Sequence, residues 1–419
     1  MKNRFTTVIK KDSNWWIGWV EEIPGVNSRG KTRVELLRNL RAASTEVLSL
    51  IREEIMKRQG SLIILFALPF FLNVSLQAGS VSLETNEVLQ LRMLIDKDKT
   101  AAAQFAEIHD AAIHALGERP DPIPKIISEG HLVKDPKKIR SVAALKDTQK
   151  ISSLAWAWAA TGDERYAAQA RKFLLAWAKV NQADGNDINE SKFEPMLVAY
   201  DLLRFTFSES ERQIVDDWWR RKAKALWKGP RGGGNWFSHN LKTVGLIALT
   251  LNDDLLFKDV KKGFFKQVGA DIKPDGACTD FYVRDSFHYH IYSIEPLLSL
   301  AHAAERHGEQ FFDYRATNGA SLRRAVDFVV PYAEGKKTHI EFANSKSDFD
   351  RVRAKNGETA YKPHPWKPTA SIRMFSGAAW FDSKYGKIAA KLSGKPDQPF
   401  INWRMVIDAA SPRYVGDKP

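Results

Sequence analysis

Ala157-Trp158-Ala159-Ala160-Thr161-Gly162-Asp163-Glu164-Arg165-Tyr166 is a junction between two helical patterns. Apolar residues recur at helical spacing before it, over 146–160, and after it, over 164–181. So short a loop makes the two helices antiparallel neighbours. The same grammar repeats along the chain, predicting helices over 194–205, 209–227, 240–250, 255–268, 290–306 and 322–332. Ser208 and Glu211 read as a capping box that opens one of them. Upstream, helical spacing runs from Ser82 to Leu116, and the proline-rich stretch 118–138 is an irregular connector. From Ser82 onward no strand alternation of any strength appears before the C-terminal portion. Antiparallel helix pairs over so long a stretch predict a mainly α chain folded as an (α/α) toroid, with inner helices around a cleft. A plain helical bundle or an α-solenoid is the alternative.

Two polar islands interrupt this helical text. One is Arg284-Asp285-Ser286-Phe287-His288-Tyr289-His290-Ile291-Tyr292, followed by Ser293-Ile294-Glu295-Pro296-Leu297; the other is Gly234-Asn235-Trp236-Phe237-Ser238-His239-Asn240. Buried Tyr, His and Arg side chains need partners, so such islands are costly unless they do chemistry. They supply a phenol, imidazoles, an amide and a guanidinium, without a cysteine nucleophile or an obvious carboxylate pair. That set suits removal of a proton next to a carboxylate.

Composition narrows the partner. The 419 residues carry a formal net charge of +13, which fits a polyanion: nucleic acid, an anionic membrane or an acidic polysaccharide. Thirteen tryptophans favour the polysaccharide, because flat rings suit sugar faces. The single cysteine, Cys278, excludes a disulfide framework and a multi-cysteine zinc site. His239, His288 and His290 lack a further ligand at diagnostic spacing, so no metal and no cofactor are expected.

The first residues read differently. Phe5 to Ile9 and Trp15 to Val20 predict two strands, then come Ile23-Pro24-Gly25-Val26, a polar loop to Gly30, and a helix from Thr32 to about Ile51. This order resembles the HicB-type antitoxins over about residues 1–55. The resemblance implies a small α+β module that binds a toxin partner in the cytoplasm. Met56 to Ala78, with Lys57-Arg58, a short apolar core broken by Pro69, and small residues after it, reads as a secretory signal peptide. An antitoxin ahead of an export signal is inconsistent. Translation from Met56 resolves it, and a true fusion is the alternative. The expected organisation is therefore a module at 1–55, a signal at 56–78, and a mature periplasmic or secreted toroid at 79–419, free of nucleic acid and membrane.

Phe193-Glu194-Pro195-Met196-Leu197-Val198-Ala199-Tyr200-Asp201-Leu202, the Asn235 island, Pro274-Asp275-Gly276 and the stretch from Arg284 to Pro296 follow the order of motifs in alginate lyases. Over about residues 140–390 the chain resembles polysaccharide lyase family five and its relatives, as a divergent member. In that family an Asn-Asn-His motif neutralises the uronate carboxylate and a His-Tyr-His motif carries the catalytic tyrosine. The resemblance assigns the latter to His288-Tyr289-His290. The former departs from the pattern here, since Trp236 follows Asn235 and the histidine comes later, at His239.

The chemistry stands beside the resemblance. A 4-linked uronate is cleaved when its C5 proton is removed and the C4 oxygen expelled. Asn235, with His239 or Arg284, would hold the carboxylate and stabilise the developing charge. Tyr289 would take the proton and pass it to the leaving oxygen, which needs a cation to favour its phenolate. Expected substrate contacts are His288, His290, Trp236, Tyr292, Arg231, Arg351 and Trp366. Arg351 belongs to a third island, His339 to Asn344 and Asp350 to Arg353, with Tyr361, His364, Trp366 and Arg373 behind it, and the resemblance to toroidal lyases implies that some of these line the cleft and hold neighbouring uronates. Two other classes remain. A glycoside hydrolase needs two flanking carboxylates, for which Asp275, Asp280, Asp285 and Glu295 are available. A non-catalytic binder of acidic glycans needs the Arg and Trp residues but not Tyr289.

Overall fold

A computed structural model describes residues 7–12, 15–20, 27–40, 43 and 81–411. The chain divides into two compact units, one of residues 1–79 with 83–90, the other of 80–82 with 91–419. The stretch read as a signal peptide lies outside the described residues.

In the first unit, β1 (Thr7–Asp12), β2 (Trp15–Val20) and β3 (Asn27–Gly30) form an antiparallel sheet in the order β1-β2-β3, followed by helix α1 over residues 33–40. β3 replaces part of the loop expected up to Gly30. Its sequence, Asn-Ser-Arg-Gly, shows no apolar alternation, because the strand is held by its backbone ladder to β2, from Trp16↔Gly30 to Trp19↔Asn27. Leu36 and Leu40 of α1 pack on Val20, with Ile9 and Trp16 beside them. Gly18 admits α1, since a Cβ there would stand 2.7 Å from the Val8 carbonyl oxygen and 3.2 Å from Leu36.

The helices that follow are α2 (Thr85–Lys97), α3 (Lys99–Leu116), α4 (Pro136–Ala144), α5 (Lys146–Thr161), α6 (Glu164–Val180) and α7 (Asp187–Ser191). Then come α8 (Glu194–Leu203), α9 (Glu209–Leu226), α10 (Gly234–Thr250), α11 (Asp254–Asp271), α12 (Thr279–Arg284) and α13 (Phe287–Arg306). The last are α14 (Leu322–Ala333), α15 (Asp348–Lys355), α16 (Ile372–Ala378), α17 (Ser383–Leu392) and α18 (Trp403–Ala410), with a two-residue ladder of β4 (Ile340–Glu341) and β5 (His364–Pro365) between α14 and α16.

Helix contacts run in a closed circuit: α3, α5, α8, α10, α13, α16, α18 and back to α3. Outside it, α6 packs on α5 and α9, α11 on α10, α14 on α13, and α17 on α16. This is the toroid. The quoted junction shows how a turn of it is made. Gly162 takes a left-handed φ of 72°, and Asp163 caps α6 by accepting from the Arg165 backbone at 3.0 Å. Ser208 and Glu211 form the capping box at the start of α9. α10 is buried from Phe237 to Thr250, which is why its sequence reads as an apolar run without a polar face. Gly245 lets α13 approach it: a Cβ there would lie 2.5 Å from Leu300 Cδ1.

Candidate active site

Both polar islands sit at the N-terminal ends of inner helices. α10 begins at Gly234 and α13 at Phe287, several residues earlier than apolar spacing alone predicts, so each island is the first turns of its helix. Asp280, on α12, joins them. Its Oδ2 accepts the Asn235 backbone N–H at 2.6 Å and the Ser293 hydroxyl at 3.2 Å.

Between α12 and α13 the chain turns at Asp285, whose φ of 49° lies in the left-handed region. Aspartate tolerates that region better than most residues. Here the turn is pinned from outside. The Asp285 carbonyl accepts from the Phe342 backbone at 2.7 Å, and its Oδ2 accepts the backbone and side-chain N–H of Asn344 at 2.8 and 3.0 Å. The third polar island is thereby fastened to the start of α13.

Tyr289 stands in the first turn of α13 and is buried. Its Oη accepts from Arg284 Nη2 at 2.5 Å and from Arg353 Nη1 at 3.2 Å. The Arg284 guanidinium lies 3.8 Å from the ring centroid and is held by Asp350, with Nε donating to Oδ2 at 2.7 Å and Nη2 to Oδ1. Arg353 also donates to the Tyr361 Oη at 2.8 Å. Burial raises the Tyr289 phenol well above its usual range, while Arg284 and Arg353 pull it back. At rest the phenol is protonated.

Asn235 is buried, and its side-chain amide takes no hydrogen-bond partner among the described residues. His239 is buried too, its ring 4.3 Å from that of Tyr292. Among the described residues neither ring nitrogen completes a hydrogen bond; the Tyr292 carbonyl is near but out of hydrogen-bond geometry. Burial pushes the imidazole down to about 3, with Lys242 adding to the shift and Glu194 opposing it. His239 is thus neutral at pH 7. Lys242 is paired with Glu194 at 2.6 Å, and Ser299 donates to the same carboxyl at 2.6 Å. Lys242 and Ser299 outweigh the cost of burial and hold Glu194 at about 2. The Glu-Pro element of the sequence motif is therefore one half of a buried ion pair.

The remaining expected contacts divide. His288 and Tyr292 lie beside Tyr289, with ring centroids 5.1 and 6.5 Å from it. Trp366 is buried with its ring 4.7 Å from Phe287, and Trp236 is 43% exposed. Arg231 is committed to Asp187 at 2.9 Å and covers the Phe237 ring. Arg351 pairs with Asp348 on the surface and reaches the Ser345 carbonyl at 3.2 Å. His290 is a correction. It is fully buried, accepts the Cys278 N–H at Nδ1 (3.2 Å), and meets the Ala325 carbonyl at Nε2 (3.0 Å). On a helix, one residue of offset turns it into the core, whereas an extended chain would have placed it on the face of His288. A histidine metal cluster fails for the same reason. Among the described residues no group of three His, Cys, Asp or Glu is arranged to hold a metal ion.

The sequence singles out Asp350, Arg353 and Tyr361 in the third polar island but gives them no individual role beside Tyr289. Asp350 and Arg353 are three apart, so helical spacing would have placed them together and turned Arg351 elsewhere.

The family model described as Alginate lyase matches residues 94–339. The chain belongs to the alginate lyase family. It is a polysaccharide lyase. No curated protein matches it. Its fold is similar to an alginate lyase from Bacteroides ovatus, at 17% identity and a TM-score of 0.60, over 79% of this chain and 99% of that one. It is also similar to alginate lyase A1-III from Sphingomonas species A1, at 21% identity and a TM-score of 0.55, over 81% and 96%. A histidine-to-alanine variant of A1-III complexed with tetrasaccharide gives 21% identity and 0.53 over the same shares. At these identities the likeness is one of fold.

Proposed function

We propose that this lyase cleaves a 4-linked uronic-acid polymer, with the mannuronate blocks of alginate as substrate, by β-elimination. The observation that carries the reading is the Tyr289 phenol oxygen held between two guanidiniums, with the Tyr292 ring 6.5 Å from the Tyr289 ring and 4.3 Å from the ring of the neutral His239. The solved relative that holds a tetrasaccharide supports an acidic oligosaccharide in the cleft.

Asn235 and Arg284 bind the uronate carboxylate. Charge grows there as the C5–H bond breaks and its electron pair moves toward the carboxylate, so donors fixed in place act mainly in the transition state. That electron pair then forms the C4–C5 double bond, the C4–O bond breaks, and the oxygen leaves with a proton. Tyr289 gives that proton. In the single-residue route, Arg284 and Arg353 stabilise a phenolate that first takes the C5 proton and then returns it. A second route is favoured by the protonated phenol and the neutral imidazole: His239 takes the proton and Tyr289 gives one. Both end in an unsaturated sugar, so absorbance from the new C4–C5 double bond on purified polymannuronate tests the proposal. No absorbance from any uronate polymer would refute it.

The hydrolase reading finds no support, because the nearby carboxylates are committed. Asp280 serves the two helix starts, Asp285 the Asn344 loop, and Asp275 the Tyr282 hydroxyl. Glu295 faces Arg373 at 3.4 Å.

We also propose the organisation read in the sequence: a HicB-like module at 1–55, an export signal at 56–78, and a mature periplasmic or secreted lyase from about Gly79. The three-stranded sheet with a helix over 33–40 supports the first part. Mass spectrometry of the native protein tests the rest, and full-abundance peptides from Trp15 to Arg41 would overturn it.

A further inference from the structure

α10 has no side-chain cap of its own. Gly233 stands at the capping position, with a φ of 116° and no side chain to accept a backbone N–H. We propose that Asp280 and Gln267, two side chains from outside the polar islands, are positioning residues for the elimination, and that both act through Asn235. The proposal rests on the lyase reading and deepens it, by saying what fixes the amide that holds the uronate carboxylate.

The missing cap is borrowed from the next two helices. Asp280, on α12, accepts the Asn235 backbone N–H at 2.6 Å. Gln267, fully buried on α11, holds the glycine turn before it. Its Oε1 accepts the Gly233 N–H at 2.7 Å, and its Nε2 donates to the Gly234 carbonyl at 2.9 Å and to the Ser238 hydroxyl at 3.0 Å. Gly233 and Gly234, at φ of 116° and 62°, have little intrinsic preference for this shape, so these bonds select it. The Asn235 amide itself takes no hydrogen-bond partner among the described residues. Hydrogen bonds therefore set its direction only through the backbone beneath it.

Asp280 also ties that backbone to the helix of Tyr289. The same Oδ2 accepts the Ser293 hydroxyl at 3.2 Å, and Ser293 lies one helical turn beyond Tyr289 on the same face of α13. One oxygen thus fixes where α10 begins relative to the helix of the phenol. Asp280 is anchored in turn. Thr279, beside it, donates its backbone N–H to Asp271 Oδ1 at 3.3 Å and its hydroxyl to the Asp271 carbonyl at 3.1 Å, at the end of α11. Donors that stabilise charge growing in the transition state work only when they are already in place, and a displacement of about 1 Å costs up to about 10²-fold.

The test is a mutant cycle on the full chain, with polymannuronate as substrate and double-bond absorbance as the readout. Asp280→Ala should lower kcat about ten- to hundredfold with KM changed less than about threefold, because Asn235 acts mainly in the transition state. Asp280→Asn, whose carbonyl oxygen can accept the same two donors, should keep kcat within about threefold of wild type. Gln267→Met keeps the bulk of the side chain, loses all three bonds, and should lower kcat about tenfold. In an Asn235→Ala background, the Asp280→Ala and Gln267→Met losses should each shrink to less than about twofold, since no amide is left to misplace. Residues that only stabilise the fold would lower the melting temperature and leave kcat per folded molecule unchanged. That result, full additivity with Asn235→Ala, or an Asn235→Ala variant of full activity would overturn the proposal. Should Asp280→Ala not fold, the Gln267→Met arm of the cycle decides alone. The lyase reading fails by a different result, absent turnover in the wild-type chain, which refutes both.

Discussion

Replacing Tyr289 with Phe removes one oxygen and keeps the ring. The structure bounds what this does to stability. The lost oxygen accepts from Arg284 and Arg353, at 2.5 and 3.2 Å. Neither arginine is orphaned, because Arg284 keeps Asp350 and Arg353 keeps Tyr361. The cost is then two hydrogen bonds from charged donors, about 1.5–3 kcal/mol each at most, and not an unpaired buried ion. Loss of a group that transfers the proton costs about 10²–10⁴ in kcat. At about 1.4 kcal/mol per decade, that is about 3–5 kcal/mol of transition-state stabilisation. The assay pairs initial rates of double-bond absorbance with a thermal melt of the same sample. Adding Asn235→Ala should cost less than the product of the single losses, since groups acting as one unit are not additive. Near-full kcat at wild-type melting temperature would remove Tyr289 from the mechanism and leave His239 as the proton acceptor.

Asp350→Asn weakens the hold on Arg284 while keeping the shape of the side chain, so kcat should fall at least about tenfold with a smaller change in KM; unchanged kcat would mean that Arg284 needs no help in reaching the phenol. His290→Leu removes two buried hydrogen bonds and should cost about 2–4 kcal/mol in a denaturant melt with kcat per folded molecule retained, and a collapse of kcat at full stability would return His290 to the site. In acid, burial holds His239 at about 3 and His290 and His302 at about 4, so these groups stay neutral in the folded chain while the unfolded chain takes up protons below about 6.5. Their stabilisation is present above that pH and is lost as pH falls toward 4, at about 1.4 kcal/mol per unit for each histidine. Asp271, raised to about 6 by burial and by Asp280, works in the opposite sense and offsets roughly one of them. Denaturant melts at pH 6.5 and 4.5 should therefore differ by a few kcal/mol, and equal stability would show that the histidines are not held neutral.

What the sequence reveals and what it hides follow from one distinction, between patterns that local geometry enforces and contacts that only the closed ring supplies. The helix pairs are legible because every short loop obliges its neighbours to pack antiparallel, and Ser208 with Glu211 marks a start that needs no partner elsewhere. Tyr289 is legible because a phenol, an arginine and two histidines within seven residues have few peaceful uses. The role of His290 depends on the phase of a helix, and the helix begins three residues before its apolar pattern does, since Phe287 to His290 are held by Glu341 and Phe342 from another part of the chain. Arg353 is further removed still. It lies 64 positions from Tyr289 and reaches the phenol because Asp285, in its left-handed turn, binds Phe342 and Asn344 while Asp350 holds Arg284, which together fasten α15 to the start of α13. The phenol thus receives one cation from its own segment and a second from a segment that arrives with the fold. A Tyr of ordinary acidity buried this way is a worse acid and a far worse phenolate; two guanidiniums on one oxygen are what let burial and proton transfer coexist in the same residue.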